Sequence, residues 1–301
     1  MVTLSPHSKP KLSVVVASQN ARGSVRDCLR ALDLQRRNGD VEILVVDNSV
    51  DETPNIVKKE FPGARLISAD RAKLIPELWG IGISESKGDY LALTTSHFVA
   101  SPTWTSEILK AHQSTHAGIG GAIENDLHAG IVSWAVYFCR YSPYMLPFPE
   151  SEVKDFAADN ASYKRRDLER VKDSMADGFW ETFVHGEMLK EGMTLAKVPE
   201  IVVYHQRSFS FLGFMSQRLW HGRKFGSSRV TRLSTAKRCA LILLSPLIPV
   251  LYLLRITSKV FARRRNIGRF VVSLPILLLF LLSWSVGELS GYVWPEGGTR
   301  A

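Results

Sequence analysis

The residues best suited to chemistry stand where apolar runs give out. Between Gly88 and Trp104, the run Tyr90–Leu93 loses its hydrophobicity at Thr94 and is followed by Thr95, Ser96 and His97 before Ser101 and Pro102 stop the segment. In an open α/β sheet, ligands bind beyond the carboxyl ends of the strands, so this cluster is a candidate site; a plain strand-to-loop exit is the alternative. Asp47 ends a second apolar run, Val41–Val46. A carboxylate there can accept hydrogen bonds from a base or ribose, or can instead make an Asx turn or cap a helix beginning at Pro54. Arg71 and Lys73 fall in a later loop and could meet a diphosphate, although exposed basic residues are usually just solvated.

The surrounding elements follow from pattern. Lys11–Ala17 is a continuous β-branched run, as suits a strand covered on both faces, and Ser18-Gln19-Asn20 follows as a polar turn. Val25, Cys28, Leu29 and Leu32 recur at helical spacing, in a helix expected to end near Arg36-Arg37-Asn38-Gly39. With Val41–Val46 this makes β, α, β within about 40 residues, each strand delivering polar groups at its carboxyl end. No Gly-x-Gly-x-x-Gly follows the first strand, which argues against a dinucleotide site. The pattern continues with a short helix over residues 54–60, a strand at Arg65–Ser68, and a helix from Ile75 to Ser86 leading into Lys87-Gly88.

Charge is unevenly spread. The 301 residues carry a net charge of +9, yet Gln206–Gly287 alone holds fourteen Lys or Arg and no Asp or Glu, so the rest of the chain is acidic by five. The same segment contains the two longest uncharged apolar runs, Cys239–Leu254 and Phe270–Gly287. Basic residues bracketing apolar runs point to an anionic membrane surface rather than to nucleic acid. Cys28, Cys139 and Cys239 have neither metal-ligand nor redox spacing and read as reduced packing residues in a cytosolic compartment. The N-terminus lacks the apolar core of a cleavable signal peptide.

An ordered series of motifs resembles the family 2 glycosyltransferases. It comprises Val14–Asn20, Cys28–Leu32 with Gln35, Glu42–Ser49 with Asp51 and Thr53, and Gly82–Tyr90 ahead of Pro102 and Trp104. The likeness covers roughly residues 11–210. It implies a nucleotide-diphospho-sugar transferase (GT-A, Rossmann-like) α/β fold with a mostly parallel sheet flanked by helices. Such enzymes are inverting, usually with a uridine or guanosine diphospho-sugar and a divalent metal. On this pattern Ser18, Asn20, Asp47, Arg71, Lys73 and Thr95 are expected to bind the donor.

One departure is pronounced. The family's Asp-x-Asp, whose second carboxylate holds the metal, aligns with Thr95, Ser96 and His97, so both carboxylates are missing. Some relatives carry Thr-Glu-Asp-His here, which Thr94 and His97 match at the two ends. A metal at this place is expected to be Mn²⁺ rather than Mg²⁺, because imidazole suits the softer ion. Its ligands would be His97 and His205, the latter ending Val202-Val203-Tyr204-His205 where the family often has Val-x-His, together with the donor's phosphates; strand-end histidines are also commonly structural. Without metal, Arg71, Lys73 or the basic residues between Arg207 and Lys224 would have to stabilise the leaving diphosphate.

On the acceptor side, Gly118–Asn125 resembles the family's strand into the acceptor pocket, and Asp159–Lys164 resembles its Gly-Asn-x-Ala segment, with Asp159 in place of the glycine. Glu124 and Asn160 are thus the expected acceptor-binding residues. Residues 131–140, with Trp134, Tyr137 and Phe138, and the proline-broken Ser142–Pro149 read as a pocket wall or a membrane-facing lip. The interval from Glu181 to Gly192 matches that between the family's catalytic aspartate and a helix-closing glycine. This makes Glu181 the expected general base; a favourable acid in a helix's first turn is the alternative.

The expected organisation is a transferase domain over 1–210, a basic amphipathic interfacial helix region over 211–238, and membrane-associated helices over 239–301. The first apolar run is short for a span and contains Pro246 and Pro249, while the second is nearer the roughly 20 residues a crossing needs. Six basic residues lie between them, at Arg255, Lys259, Arg263, Arg264, Arg265 and Arg269. A two-span hairpin would place these outside, so the first run is expected to dip into the cytoplasmic leaflet and only the second to cross. The expected function is a membrane-associated transferase with a cytoplasmic catalytic domain, moving sugar from a nucleotide-diphospho-sugar to a lipid-linked or cell-envelope glycan acceptor. Anionic lipids would be its surface partner. The rival expectation is a degenerate transferase fold serving as a membrane-bound nucleotide-sugar-binding or scaffold subunit.

Overall fold

Uninterrupted apolar runs become strands that have no solvent face. In the computed structural model, which describes residues 9–36, 40–206, 209–230 and 233–295, β1 (Leu12–Ser18) is buried along its whole length. The following elements are α1 (Val25–Asp33), β2 (Val41–Asp47), α2 (Thr53–Glu60), β3 (Arg65–Ser68), α3 (Ile75–Glu85), β4 (Tyr90–Thr95), β5 (Phe98–Ala100), α4 (Trp104–Ala111) and β6 (Gly118–Asn125). After α5 (Ile131–Tyr141) come β7 (Ser151–Val153), β8 (Ala161–Lys164), α6 (Arg165–Arg170), α7 (Glu181–Lys190) and β9 (Leu195–His205). The chain then continues as α8 (Phe211–Val230), α9 (Thr235–Leu244), α10 (Ile248–Arg263) and α11 (Ile267–Val293). α1 ends at Asp33, with Leu34–Arg36 outside the helix, so it stops short of the end expected near residues 36–39, of which 37–39 lie outside the described residues.

These elements divide between two units, Met1–Asp126 with Leu146–Arg207, and Leu127–Met145 with Ser208–Ala301. The first unit contains the sheet, in the order β3-β2-β1-β4-β8-β6-β9-β5, with β7 also pairing β9. β1, β2, β3 and β4 are mutually parallel. β8 runs antiparallel between β4 and β6, which restores the direction of β6, and β9 is parallel to β6. The carboxyl ends of β1, β2, β4, β6 and β9 therefore share one edge. Helix α3 reaches the sheet through Gly82, where a Cβ would lie 2.1 Å from Val15 Cγ1, so any larger residue would push the helix away.

The second unit is helical. α8 and α11 run side by side through two reciprocal glycine pairs. A Cβ at Gly222 or Gly226 would lie 2.3 Å from the carbonyl oxygens of Trp284 and Glu288; one at Gly287 or Gly291 would lie 2.1 and 2.3 Å from those of Leu219 and Arg223. Small residues four apart on both helices permit this backbone approach. Glu288 is buried on this seam, accepts from Trp284 Nε1 at 2.8 Å and from the Tyr292 hydroxyl, and faces Arg229 at 3.4 Å. A helix does follow residue 211: α8 turns Gly222 and Gly226 to α11 and leaves Leu212, Leu219, Trp220 and Phe225 exposed.

The first apolar run differs from expectation in length. Pro246 sits in a 3-10 turn (Ser245–Leu247) and Pro249 in the first turn of α10, positions that tolerate proline. The helical segment Thr235–Arg263 is consequently 29 residues long, and α11 is 27; both are long and apolar enough to cross a membrane. Of the three free cysteines, Cys28 is a packing residue whose thiol burial pushes up to about 12, whereas Cys239 is exposed.

Candidate functional site

Strand register assembles the candidate site. Ser18 pairs with Asp47, Asp47 with Ser68, and Ala17 with Thr95, so four neighbouring strands deliver their last polar residues side by side. Ser96 follows at once, its N–H donating to Ala17 O at 3.1 Å. Ser18 Oγ, Thr94 Oγ1 and Ser96 Oγ are buried and have no hydrogen-bond partner among the described residues. Buried hydroxyls are normally paired, so a group of three along one sheet edge marks a place suited to a polar ligand.

The flanking loops are tied by side chains. Asp47, 4% exposed, accepts from the Ser49 N–H at 3.1 Å and the Ser49 hydroxyl at 2.7 Å, which is an Asx turn. Asp51, not Asp47, holds the start of α2: it accepts from the Thr53 N–H and hydroxyl and from the Arg22 N–H. Burial pushes the Asp51 carboxyl up, but these hydrogen bonds outweigh it and the group titrates below its ordinary range. Asn20 has a positive φ of 49° and accepts from the Val50 N–H at 3.0 Å, joining the β1 and β2 exits. The Asn48 amide nitrogen donates to Lys73 O at 2.7 Å and to Asp70 O at 3.4 Å, shaping the loop that carries Arg71 and Lys73. Arg71 is exposed, whereas the Lys73 ammonium is engaged by Glu77 at 2.8 Å, which raises its pKa.

His97 and His205 come from adjacent chain segments. Gln206 N donates to His97 O at 2.9 Å, and His205 pairs with Phe98 across β5 and β9 and with Asn125 across β6 and β9. The half-buried His97 has its Nδ1 3.0 Å from Ser24 Oγ; the buried His205 packs edge-on against Phe98 at 5.3 Å. Glu124 accepts from the Leu146 N–H at 2.8 Å. Asn160 is fully used inside the sheet: it accepts from Trp104 Nε1 at 2.8 Å and donates to Ala122 O at 2.8 Å and Ile201 O at 2.9 Å.

Glu181 opens α7. The approach to it is fixed by Gly178, whose φ of +109° and closeness to the Glu77 backbone exclude a side chain, and by the Phe179 N–H donating to Pro76 O at 2.7 Å. Pro76 lies in the first turn of α3, the helix whose Trp79 donates from Nε1 to Thr94 O at 2.8 Å. Two successive anchors on α3 thus relate the start of α7 to the exit of β4. Nearby Tyr163 is buried, and its phenol is pushed well above its ordinary range by burial and then by the charges of Glu181 and Asp155.

Comparison with known proteins decides the family. The sequence profile of glycosyl transferase family 2 matches residues 13–171, more than half of the chain. The chain belongs to glycosyl transferase family 2. Among solved structures, this glycosyltransferase is similar to the mannosyltransferase PcManGT from Pyrobaculum calidifontis, a structure in complex with GDP-Man and Mn²⁺, with a TM-score of 0.56 at 15% identity over 97% of this chain and 89% of that one. At that identity the likeness establishes the GT-A fold. No curated protein matches the sequence.

Where relatives have Asp-x-Asp the chain has Thr95, Ser96 and His97, and among the described residues no three His, Cys, Asp or Glu side chains converge on one point. These residues do not fit a metal ion held by protein alone. Sequence reading also missed the pairing of Ser24 with His97 and the Asp155–His185–Tyr163 cluster under α7. The one signal for the latter was His185, four residues beyond Glu181 and so on the same helical face.

Proposed function

We propose that this family 2 member is a membrane-associated, inverting glycosyltransferase that moves a sugar from a nucleotide-diphospho-sugar to a lipid-linked or cell-envelope glycan acceptor. The observation that carries this reading is the in-register line of Asp47, Ser18, Thr95 and Ser96 along one sheet edge, with three buried hydroxyls awaiting partners. Asp47 and Asn20 suit the nucleoside, and the hydroxyls of Ser18, Thr94, Thr95 and Ser96 suit phosphate or sugar oxygens. Arg71 is the loop cation offered to the diphosphate, with Lys73 joining it when released from Glu77. Glu124 and Asn160 support the acceptor side by holding its backbone. A divalent ion would arrive with the donor's phosphates and meet His97 and His205, with Mn²⁺ suiting imidazole better than Mg²⁺.

In the reaction, the acceptor hydroxyl oxygen bonds to the anomeric carbon on the face opposite the nucleotide. The bond from that carbon to the diphosphate oxygen breaks, and the nucleoside diphosphate leaves with the electron pair. Glu181 takes the acceptor's proton. We place the catalytic part at residues 1–210 on the cytoplasmic side, with the basic region 211–238 against anionic lipid and the helices of 239–301 in the membrane. Length leaves both helical segments able to cross, so charge decides: the cationic stretch Arg255–Arg269 favours a re-entrant first segment. Cysteine labelling at positions 263–265 tests this, since protection from cytoplasmic reagents refutes it.

The absence of a three-ligand metal cluster among the described residues favours a second reading, a degenerate fold that binds nucleotide-sugar as a scaffold subunit. Turnover of UDP- and GDP-sugars, with and without Mn²⁺, separates the two. The enzyme releases nucleoside diphosphate, whereas the scaffold binds without release; neither binding nor release for any donor overturns both.

A further inference from the structure

We infer that Asp155, His185 and Tyr163 form a positioning device for Glu181, an inference that rests on Glu181 being the general base. His185 lies one turn beyond Glu181 on α7, and its imidazole is 1% exposed. Its Nδ1 is 2.5 Å from Asp155 Oδ1, and its Nε2 is 2.7 Å from the Tyr163 hydroxyl. Thr182 Oγ1 lies 3.4 Å from the other oxygen of the same carboxylate, so Asp155 grips the first two turns of α7 at two points.

The direction of each bond follows from chemistry. A carboxylate only accepts, so Nδ1 carries the ring proton, and Nε2 then accepts from the phenol. Tyr163 can keep donating because burial and the neighbouring negative charges oppose its ionisation. The rings of Phe156, 4.4 Å from His185, and of Phe179, 5.1 Å from Tyr163, shield the His185–Tyr163 bond from water, while the Asp155 carboxylate closes the chain at the surface, 47% exposed.

Apolar packing alone would hold α7 against the sheet at less cost, because a polar chain must be desolvated and fully paired to be tolerated in a core. What the chain adds is direction. Hydrophobic contacts let a helix rotate about its axis, whereas two hydrogen bonds of fixed polarity from one imidazole do not. Glu181 shares the helical face of His185, so the rotation of α7 sets where its carboxylate points. A base displaced by about 1 Å loses on the order of a hundredfold in rate, which gives such a device a function that stability alone would not require.

The test uses the full-length protein in detergent or membranes, with whichever of UDP-glucose, UDP-N-acetylglucosamine or GDP-mannose it turns over. Tyr163→Phe and Asp155→Ala are expected to lower kcat by about tenfold or more, with nucleoside diphosphate affinity within about twofold of wild type. His185→Gln can donate to Asp155 and accept from Tyr163 as the imidazole does, and is expected to keep most of kcat. His185→Leu, which can do neither, is expected to lose it. Unchanged kcat in Tyr163→Phe and Asp155→Ala, or losses that merely follow a fall in melting temperature or nucleotide affinity, would overturn the inference. Glu181→Gln serves as the reference. If it is inactive while the other variants turn over normally, only the positioning role fails; if it retains full turnover, the reading of Glu181 as base fails as well.

Discussion

The exit of β4 and the start of α7 are built on opposite terms. At the β4 exit, Ser18, Thr94 and Ser96 bring buried hydroxyls to one edge and leave them without protein partners among the described residues. At α7, the buried Tyr163 and His185 are joined end to end with Asp155, whose carboxylate is exposed at the surface. An unsatisfied buried hydroxyl destabilises the free protein and gains when a ligand supplies the missing partner, whereas a closed chain gains nothing from a ligand and resists movement. Under the proposed function, the difference separates where the donor would be received from what would keep Glu181 still.

That contrast breaks most readily at Asn160, which belongs to the satisfied class. Asn160→Leu leaves Trp104 Nε1 and the carbonyls of Ala122 and Ile201 without their partner. It should cost roughly 3 kcal/mol or more of stability, read as a lowered urea midpoint. An Asn160→Leu variant of wild-type stability would show that satisfaction is not what distinguishes the two regions.

Ser96→Val and Thr94→Val sharpen the opposite side. Each removes an orphan hydroxyl, so the thermal midpoint should hold or rise, while nucleotide-sugar affinity falls by about tenfold, the worth of one lost hydrogen bond with its partner left unpaired. Calorimetric titration with UDP- or GDP-sugar measures it, and unaltered affinity in both variants would remove these residues from the donor site.

A smaller effect is expected from Asp51, whose carboxyl is depressed because hydrogen bonds from Thr53 and Arg22 outweigh its burial. A depressed folded-state pKa contributes stability that is present above the ordinary aspartate value of 3.8 and lost as pH falls through the lower folded value. Asp51→Asn should therefore flatten the acid limb of the stability curve and leave its slope near neutrality unchanged. An identical acid limb in the variant would contradict the assignment.

How much of this was legible in the sequence depended on what each signal measured. Runs such as Leu12–Ser18 and Val41–Asp47 report burial, and burial on both faces fixed the parallel strands almost to the residue. The long segment Thr235–Arg263 was misjudged because Pro246 and Pro249 read as breaks, although a 3-10 turn and a helix start accommodate them. Asp47 was legible as a strand-end carboxylate, and both its Asx turn and the alternative cap were foreseeable types; that Asp51 takes the bonds from Thr53 at the start of α2 depends on the loop's conformation, which no pattern of residues displays. Of the Asp155–His185–Tyr163 chain only His185, four residues beyond Glu181, carried a signal, because the three members lie on a loop, a helix and a strand and share no spacing. The glycine pairs of α8 and α11 were visible as letters, but not which helix each would face.

The most direct test is release of nucleoside diphosphate from a panel of UDP- and GDP-sugars by the full-length protein, in detergent or in membranes, and by its Glu181→Gln variant. The expected result is release by the wild type from at least one donor, reduced about a hundredfold or more in the variant, with nucleotide binding retained. Release undiminished in Glu181→Gln, or neither binding nor release by the wild type with any donor, would contradict it.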